Sequence, residues 1–299
     1  MFRGELCIWV VSYFGSKIGK EMSPYPNLVC ESLLINSTID FLISLGGSAP
    51  AVEVVDYVMK IKAPEPLFAR LLVEDLIERD PRLSIDCDIV QLTEPDHDAL
   101  HFDETGFVVF DLETTGAKAP PCRITEIGAY RVMGGAIVEE FHSLVNPEAP
   151  IPPFITALTG ISDDMVSDAP LFCDVAGRFL EFIGDSVLVA HNAHFDMGFL
   201  NHEVGRVFEE YRVWNPSLCT VQLSRRLLPE IENHKLNTVA SHYSVKLINH
   251  HRACEDAKAT AEIFVNLLGS MRERGIHDLG SARRFCRQKY YAKRSEAAA

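Results

Sequence analysis

The chain has 299 residues, of which 47% are hydrophobic and 23% are charged. This composition predicts a soluble globular protein with one large and one small domain, and no run approaches the roughly 20 apolar residues of a membrane helix. The eight cysteines are scattered and form no Cys-x2-Cys pair, which argues against a zinc module and a disulfide framework. We therefore expect reduced thiols and a cytoplasmic location.

The formal net charge of −14 is unevenly distributed. Residues 1–100 carry 16 acidic and 8 basic side chains, residues 101–270 carry 23 and 12, and residues 271–299 carry 3 and 8. Because non-specific DNA affinity comes mainly from lysine and arginine on phosphates, we expect this affinity to be weak. A nucleic-acid substrate stays compatible with the acidic part if bound metal ions cancel its charge locally.

Residues 1–30 are predicted to be an uncertain or disordered N-terminus. Residues 5–14 are apolar like the core of a signal peptide, but Glu5 interrupts the start and no small-residue cleavage site follows. We therefore expect translation to start at Met22.

Residues 31–93 are predicted to form a small helical unit. Apolar residues recur at helical spacing on both sides of a break at Gly46-Gly47-Ser48, and two short strands close the unit. Three helices followed by a hairpin are typical of a winged-helix fold. The third helix is rich in acidic residues, which suits DNA poorly, so we expect this unit to dock a protein or to position substrate. Residues 94–103 are predicted to be a linker.

The next predicted unit, residues 104–269, begins with strands. An apolar run at 107–110 is followed by two strands, 124–133 and 136–145, that turn at Gly134-Gly135. Because strands come first and helices follow, we predict an α/β fold with a mixed sheet flanked by helices.

Acidic side chains follow the apolar runs of this unit. Asp111 and Glu113 end the first apolar run, which predicts a strand, and side chains two residues apart on a strand point to the same face. Asp196 follows a second apolar run, 186–190, and is predicted to lie in the first turn of a helix. Asp256 lies early in a third element, 253–268, whose apolar spacing is helical.

His251 precedes Asp256 by five residues. On a continuous helix these two side chains would be about 140° apart, at roughly 3.6 residues per turn. We therefore place His251 in the loop before the helix or in its first turn. His250 is the alternative by position alone.

Clustered carboxylates repel one another, so the cluster needs a cation. Hard oxygen ligands without cysteine suit Mg²⁺ or Mn²⁺. Two such ions are a common arrangement for cleaving phosphodiesters, and a histidine of near-neutral pKa supplies a base for the attacking water.

Three segments, 110–116, 191–196 and 251–257, resemble the motifs of the DEDDh 3′→5′ exonucleases. That family includes the proofreading epsilon subunit of bacterial DNA polymerase III. The resemblance covers about residues 104–268. It implies a ribonuclease H-like fold, two divalent ions, and release of nucleoside 5′-monophosphates from a 3′ end.

The resemblance also implies roles for individual residues. Asp111 would bridge both ions, and the remaining metal ligands would be Glu113, Asp196 and Asp256, with His251 as the general base. Substrate contacts are implied for Leu112, Thr114 and Thr115. For these three, a turn that only caps the strand is the alternative.

These observations predict a metal-dependent 3′→5′ exonuclease acting on DNA, in proofreading or repair. An RNA-trimming exonuclease is one alternative, because the metal chemistry does not depend on the sugar. A polymerase- or repair-complex subunit that acts mainly by binding is another. The expected partners are DNA with a free 3′ end and a polymerase or repair complex, without a membrane.

The C-terminal residues 270–299 are predicted to be a basic tail. Basic and aromatic residues alternate over 283–294, a composition that suits a single nucleic-acid strand or a partner protein. A solvated tail explains the same composition equally well.

Overall fold

The computed structural model describes residues 24–93, 96–247 and 251–287. The predicted start at Met22, the first two residues of the predicted linker, His250 and the end of the basic run lie outside these ranges.

The N-terminal part contains three helices and short strands. In chain order these are β1 (Leu28–Cys30), α1 (Leu33–Ser44), β2 (Ser48–Pro50), α2 (Ala51–Val58), α3 (Pro66–Ile77), β3 (Leu83–Asp86) and β4 (Ile89–Leu92). Strands β2, β4 and β3 form an antiparallel sheet that shares one apolar core with the three helices. The expected three helices and hairpin are present, and the winged-helix assignment stays a prediction.

The remaining elements build the larger unit. After a 3₁₀ helix (His97–Ala99) they are β5 (Phe107–Thr114), β6 (Ile124–Met133), β7 (Ala136–Leu144), α4 (Pro153–Thr159), α5 (Asp163–Val166), α6 (Phe172–Ile183), β8 (Val187–Ala190), α7 (Ala193–Val207), β9 (Tyr211–Val213), β10 (Ser217–Cys219), α8 (Thr220–Leu227), α9 (Leu236–His242), α10 (Ala253–Glu273) and α11 (Leu279–Arg287). Five strands form a mixed sheet in the order β10-β8-β5-β6-β7. Strand β8 runs parallel to β5 and β10, whereas β6 is antiparallel to β5 and β7.

Side chains of β5 alternate between two apolar layers, as the period of a strand requires. Phe107 and Val109 pack in a core that includes residues of α10. Val108 and Phe110 pack in a second core, with residues of α6 and α7. The sheet is therefore covered by helices on both faces, and strand β5 at its centre has little freedom to move.

Strand β1 joins the two parts of the chain. It pairs antiparallel with β9, and Leu28 and Val29 are fully buried. On the other side, the Cys30 N–H donates to Asp80 Oδ2 at 2.9 Å. The end of the predicted N-terminal segment 1–30 is thus an ordered strand held by both units.

Two segments that were predicted as a linker and a basic tail are instead folded against the core. In the predicted linker, Phe102 is buried and its N–H donates to the His277 carbonyl at 2.8 Å. The predicted basic tail begins with the last turn of α10 and continues as α11, where Leu279 and Ala282 are buried. The prediction rested on the basic and aromatic residues of this segment, whereas a few small and apolar residues bury one face of α11.

Among the described residues, no helix has the length and apolar content that crossing a membrane requires.

Candidate active site

Asp111 and Glu113 continue the row of side chains that Phe107 and Val109 begin on β5. Both carboxylates are partly exposed, whereas Leu112 between them is buried in the opposite core. The strand runs to Thr114, so both residues lie inside it. Alternation along the strand therefore places both carboxylates on one face, as predicted, and this face is the one that α10 covers.

Asp196 lies in the first turn of α7, as predicted. The chain leaves β8 through Asn192, whose left-handed backbone (φ 77°) turns it sharply into the helix. The side chain is buried, and Oδ1 accepts the Leu112 N–H at 3.2 Å. This hydrogen bond ties α7 directly to the strand that carries the first two carboxylates.

Asp256 lies in the first turn of α10, and His251 lies just before the helix. The His251 N–H donates to Asp256 Oδ2 at 3.0 Å. Potential ligand atoms of Glu113, His251 and Asp256 lie within 4.8 Å of one another. Residues from the strand, the loop and the helix therefore converge at one point.

The predicted carboxylates strongly perturb one another. Burial raises the pKa of Asp111 well above its usual range, and the nearby Asp196, Glu113 and Asp256 raise it further. Burial, followed by Asp256, raises the pKa of Glu113 to about 8. Burial also raises the pKa of Asp196 to about 7. The protein alone thus disfavours the charged form of this cluster, which is typical of functional sites.

This donor set fits a divalent cation. All four carboxylates offer hard oxygen atoms, and a nearby positive charge would favour the ionised forms of Asp111, Glu113 and Asp196, which burial disfavours. The five residues predicted from the sequence are therefore assembled into one acidic site, and their individual roles stay predictions.

The side chains of the three predicted substrate contacts, Leu112, Thr114 and Thr115, interact with other parts of the protein. Thr114 Oγ1 donates to the Gly116 carbonyl at 2.7 Å, and Thr115 Oγ1 accepts the Arg123 N–H at 3.0 Å. The Leu112 side chain packs in the core on the other face of the sheet. The three residues thus stabilise the strand and its turn, and their contact with a substrate stays a prediction.

A cavity of about 540 Å³ opens beside His251. One of its walls is His191, whose Nδ1 lies 2.9 Å from Thr220 Oγ1 and whose pKa burial lowers to about 4. His191 is thus neutral at physiological pH, and its hydrogen bond with Thr220 fixes the imidazole at the edge of the cavity. The cavity is lined by His191, Asn192, Val221, His234, Lys235, Leu236, Asn237 and His251.

The sequence analysis missed Glu126, a fully buried carboxylate on β6. It lies directly opposite Glu113 in the register of β5 and β6. Burial raises its pKa, but hydrogen bonds from Arg252, His142 and the Ala253 N–H outweigh burial and lower the pKa overall. The sequence signal that could have indicated Glu126 was a single acidic residue inside the predicted apolar strand 124–133.

Comparison with known proteins decides the family. The exonuclease family model RNase_T matches residues 108–264, more than half of the chain. The chain belongs to this exonuclease family. The family resemblance predicted from the three motifs is thereby confirmed.

Relatives of this exonuclease domain include DNA polymerase III of the PolC type. The protein of Caldanaerobacter subterraneus is 49% identical over 173 residues, and that of Bacillus subtilis is 46% identical over 178 residues. The alignments cover 58% and 59% of this chain but only 12% of each relative. The chain thus corresponds to a small part of these proteins.

A solved structure of E. coli exonuclease I with a dT13 oligonucleotide shares the fold. Its TM-score is 0.51 at 16% identity, and the match covers 57% of this chain and 42% of that one. The predicted class, a ribonuclease H-like mixed sheet flanked by helices, is confirmed.

Proposed function

We propose that this chain is a divalent-metal-dependent 3′→5′ exonuclease that acts on DNA and releases nucleoside 5′-monophosphates. The observation that carries the proposal is the cluster beside the central strand. Asp111 interacts with the three other carboxylates, and His251 lies in one group of potential ligands with Glu113 and Asp256. The names of the PolC-type relatives favour DNA over RNA and a place in DNA replication or repair.

The carboxylates are the candidate ligands. Asp111, which interacts electrostatically with the other three, would contact both ions, and the other ligands would be Glu113, Asp196 and Asp256. Two such ions, when bound, activate a water molecule for attack and stabilise the leaving oxygen.

His251 would accept the proton of the attacking water. Its position before α10, with its N–H fixed by Asp256, keeps the imidazole beside the carboxylates without making it part of the helix. An imidazole has a pKa near neutral pH, which suits a general base. We infer that Leu112, Thr114 and Thr115 contact the terminal nucleotide, since these residues lie next to the carboxylates at the end of β5.

The cavity beside His251 supports a nucleic-acid substrate. Its lining offers two amides, Asn192 and Asn237, and the cation of Lys235, and it contains no carboxylate. In a chain of net charge −14, such a lining suits a phosphate-bearing strand.

The test is digestion of 5′-labelled single-stranded DNA, a duplex with a 3′ mismatch, and RNA of the same sequence, with Mg²⁺ or Mn²⁺. Asp111→Ala should abolish cleavage, and Asp185→Ala should not. Asp185 is an exposed aspartate that precedes β8, at the opposite end of that strand from α7.

A ladder that shortens from the 3′ end of DNA supports the proposal. If RNA is digested faster than DNA, RNA is the substrate instead of DNA. Internal cleavage would overturn the proposed 3′→5′ direction. Activity retained by Asp111→Ala would overturn the proposed site. If no substrate is shortened, the chain acts by binding.

A further inference from the structure

Glu126 occupies an unfavourable position for a carboxylate. It is fully buried on β6 and lies opposite Glu113, so its charge adds to the repulsion within the candidate active site. Burying an ionised carboxylate is costly unless it is paired and hydrogen-bonded. Its surroundings therefore show what compensates for this burial.

Both carboxylate oxygens of Glu126 are fully engaged. Arg252 binds them in a bidentate manner, with Nη2 2.7 Å from Oε1 and Nε 3.0 Å from Oε2. The Ala253 N–H donates to Oε2 at 2.9 Å, and His142 Nε2 lies 2.8 Å from Oε1. A bidentate arginine pair is both strong and geometrically specific.

The partners of Glu126 lie between the two candidate catalytic residues of the same segment. Arg252 and Ala253 directly follow His251 and precede Asp256 by four and three residues. The His251 N–H to Asp256 Oδ2 bond closes this segment on itself, and Glu126 fastens its middle to the sheet. His251 has a φ of 71°, which an L-residue adopts only where the surroundings hold it.

We propose that Glu126 is a positioning residue that fixes residues 251–256 on β6 and so sets the positions of His251 and Asp256. The inference rests on the proposed function of the site. Glu126 would not touch the substrate or the reacting atoms. It acts through Arg252 and the first N–H of α10.

Glu126→Gln is the direct test. The amide keeps the shape of the carboxylate, but its NH₂ group is a donor and cannot accept from Arg252 or the Ala253 N–H. We expect kcat for DNA to fall about 10²-fold, as for a displacement of catalytic groups by about 1 Å. KM for the oligonucleotide should stay unchanged. Calorimetry should show weaker Mn²⁺ binding, and hydrogen exchange of a peptide covering 251–257 should be faster.

Asp80→Asn is the matched control. Asp80 is a buried carboxylate that also binds one arginine, Arg82, with both oxygens, and it accepts the backbone N–H groups of Cys30 and Arg82. It lies in the N-terminal unit, outside the candidate site. We expect it to lower thermal stability without changing kcat or the exchange of residues 251–257.

Arg252→Lys keeps the test decisive if Glu126→Gln does not fold. Lysine retains the charge but loses the bidentate geometry, so kcat should fall by less than in Glu126→Gln while KM is again unchanged. Unchanged kcat in a folded Glu126→Gln or in Arg252→Lys would overturn the inference. An equal loss of kcat in Asp80→Asn, measured well below its melting temperature, would also overturn it.

The wild-type protein separates this inference from the proposed function. If the wild type shows no metal-dependent trimming, the proposed function fails. If the wild type trims DNA and Glu126→Gln trims it equally fast, the site stands and only the role of Glu126 is wrong.

Discussion

Replacing Gly128 by alanine tests how closely helix α10 must approach the sheet. Gly128 is buried on β6, opposite Asp111 in the strand register. A Cβ built on Gly128 would lie inside 3.0 Å of the Ala253 carbonyl group and the Cys254 nitrogen, distances that real Cβ atoms essentially never show. These are backbone atoms at the start of the helix, so no side chain can rotate away to make room.

The size of the effect follows from this distance. Ordinary van der Waals contact begins at 3.4 Å, so the start of α10 has to move away from the sheet. A shift of about 1 Å can lower a catalytic rate about 10²-fold. Asp256 lies one turn into the moving helix, so its position relative to Asp111 changes directly. Overpacking of this kind typically costs about 1–3 kcal/mol of stability.

The assay is the initial rate of 3′ trimming on 5′-labelled DNA, with the free energy of unfolding measured in parallel. Gly269→Ala is the control, because Gly269 lies in the same helix with nothing within 4 Å of an added Cβ. It should leave activity unchanged and raise stability by about 0.5–1 kcal/mol, as expected inside a helix. A folded Gly128→Ala variant with wild-type activity would show that α10 can move without harm, which would refute the argument.

Other variants and conditions probe the site itself. His251→Ala should slow hydrolysis about 10²- to 10⁴-fold, the usual contribution of a general base. Calorimetry should show nearly unchanged divalent-ion binding; lost binding would make His251 a ligand. In metal-free protein, the pKa of Glu113 is raised from 4.5 to about 8, so the folded state binds this proton more tightly than the unfolded chain. The resulting stability is present below pH 4.5 and is lost as the pH rises through about 8. Melting temperatures in chelator should follow this trend, and Mn²⁺ should restore stability at the higher pH; a flat profile would contradict the assigned cluster. Asp111→Ala should raise the metal-free melting temperature at pH 8, because it removes one of the repelling carboxylates; a lower value would count against that repulsion.

Local patterns in the sequence were sufficient for the main elements. Alternation and apolar runs predicted the hairpin of β6 and β7 with nearly correct ends, because a Gly134-Gly135 turn leaves few alternatives. Helical spacing predicted the start of α10 at Ala253. The separation of His251 from Asp256 left two positions for His251, the loop before the helix or its first turn, and the structure shows the loop. The single face shared by Asp111 and Glu113 followed from the strand period alone.

Contacts between segments that are distant along the chain could not be predicted from local sequence patterns. Glu126 is 126 residues away from Arg252, so no local pattern joins them. The folding of α11 was missed because basic charge dominates its sequence, whereas its burial depends on a surface that the rest of the chain provides. Strand β1 was missed for the same reason, since its partner β9 lies far along the chain.

Strand β6 carries none of the proposed metal ligands, yet it controls the distance between them. Glu126 and Gly128 are two residues apart and therefore project from the same face of the strand. Glu126 attracts the segment before α10 through Arg252, and Gly128 lets the first turn of the helix approach closely. Repulsion among the carboxylates of β5 and α10 acts in the opposite direction. The presence of Glu126 near an acidic cluster thus has a physical reason. The charge of Glu126 repels the other carboxylates, but its pairing with Arg252 holds the segment before α10 against the sheet.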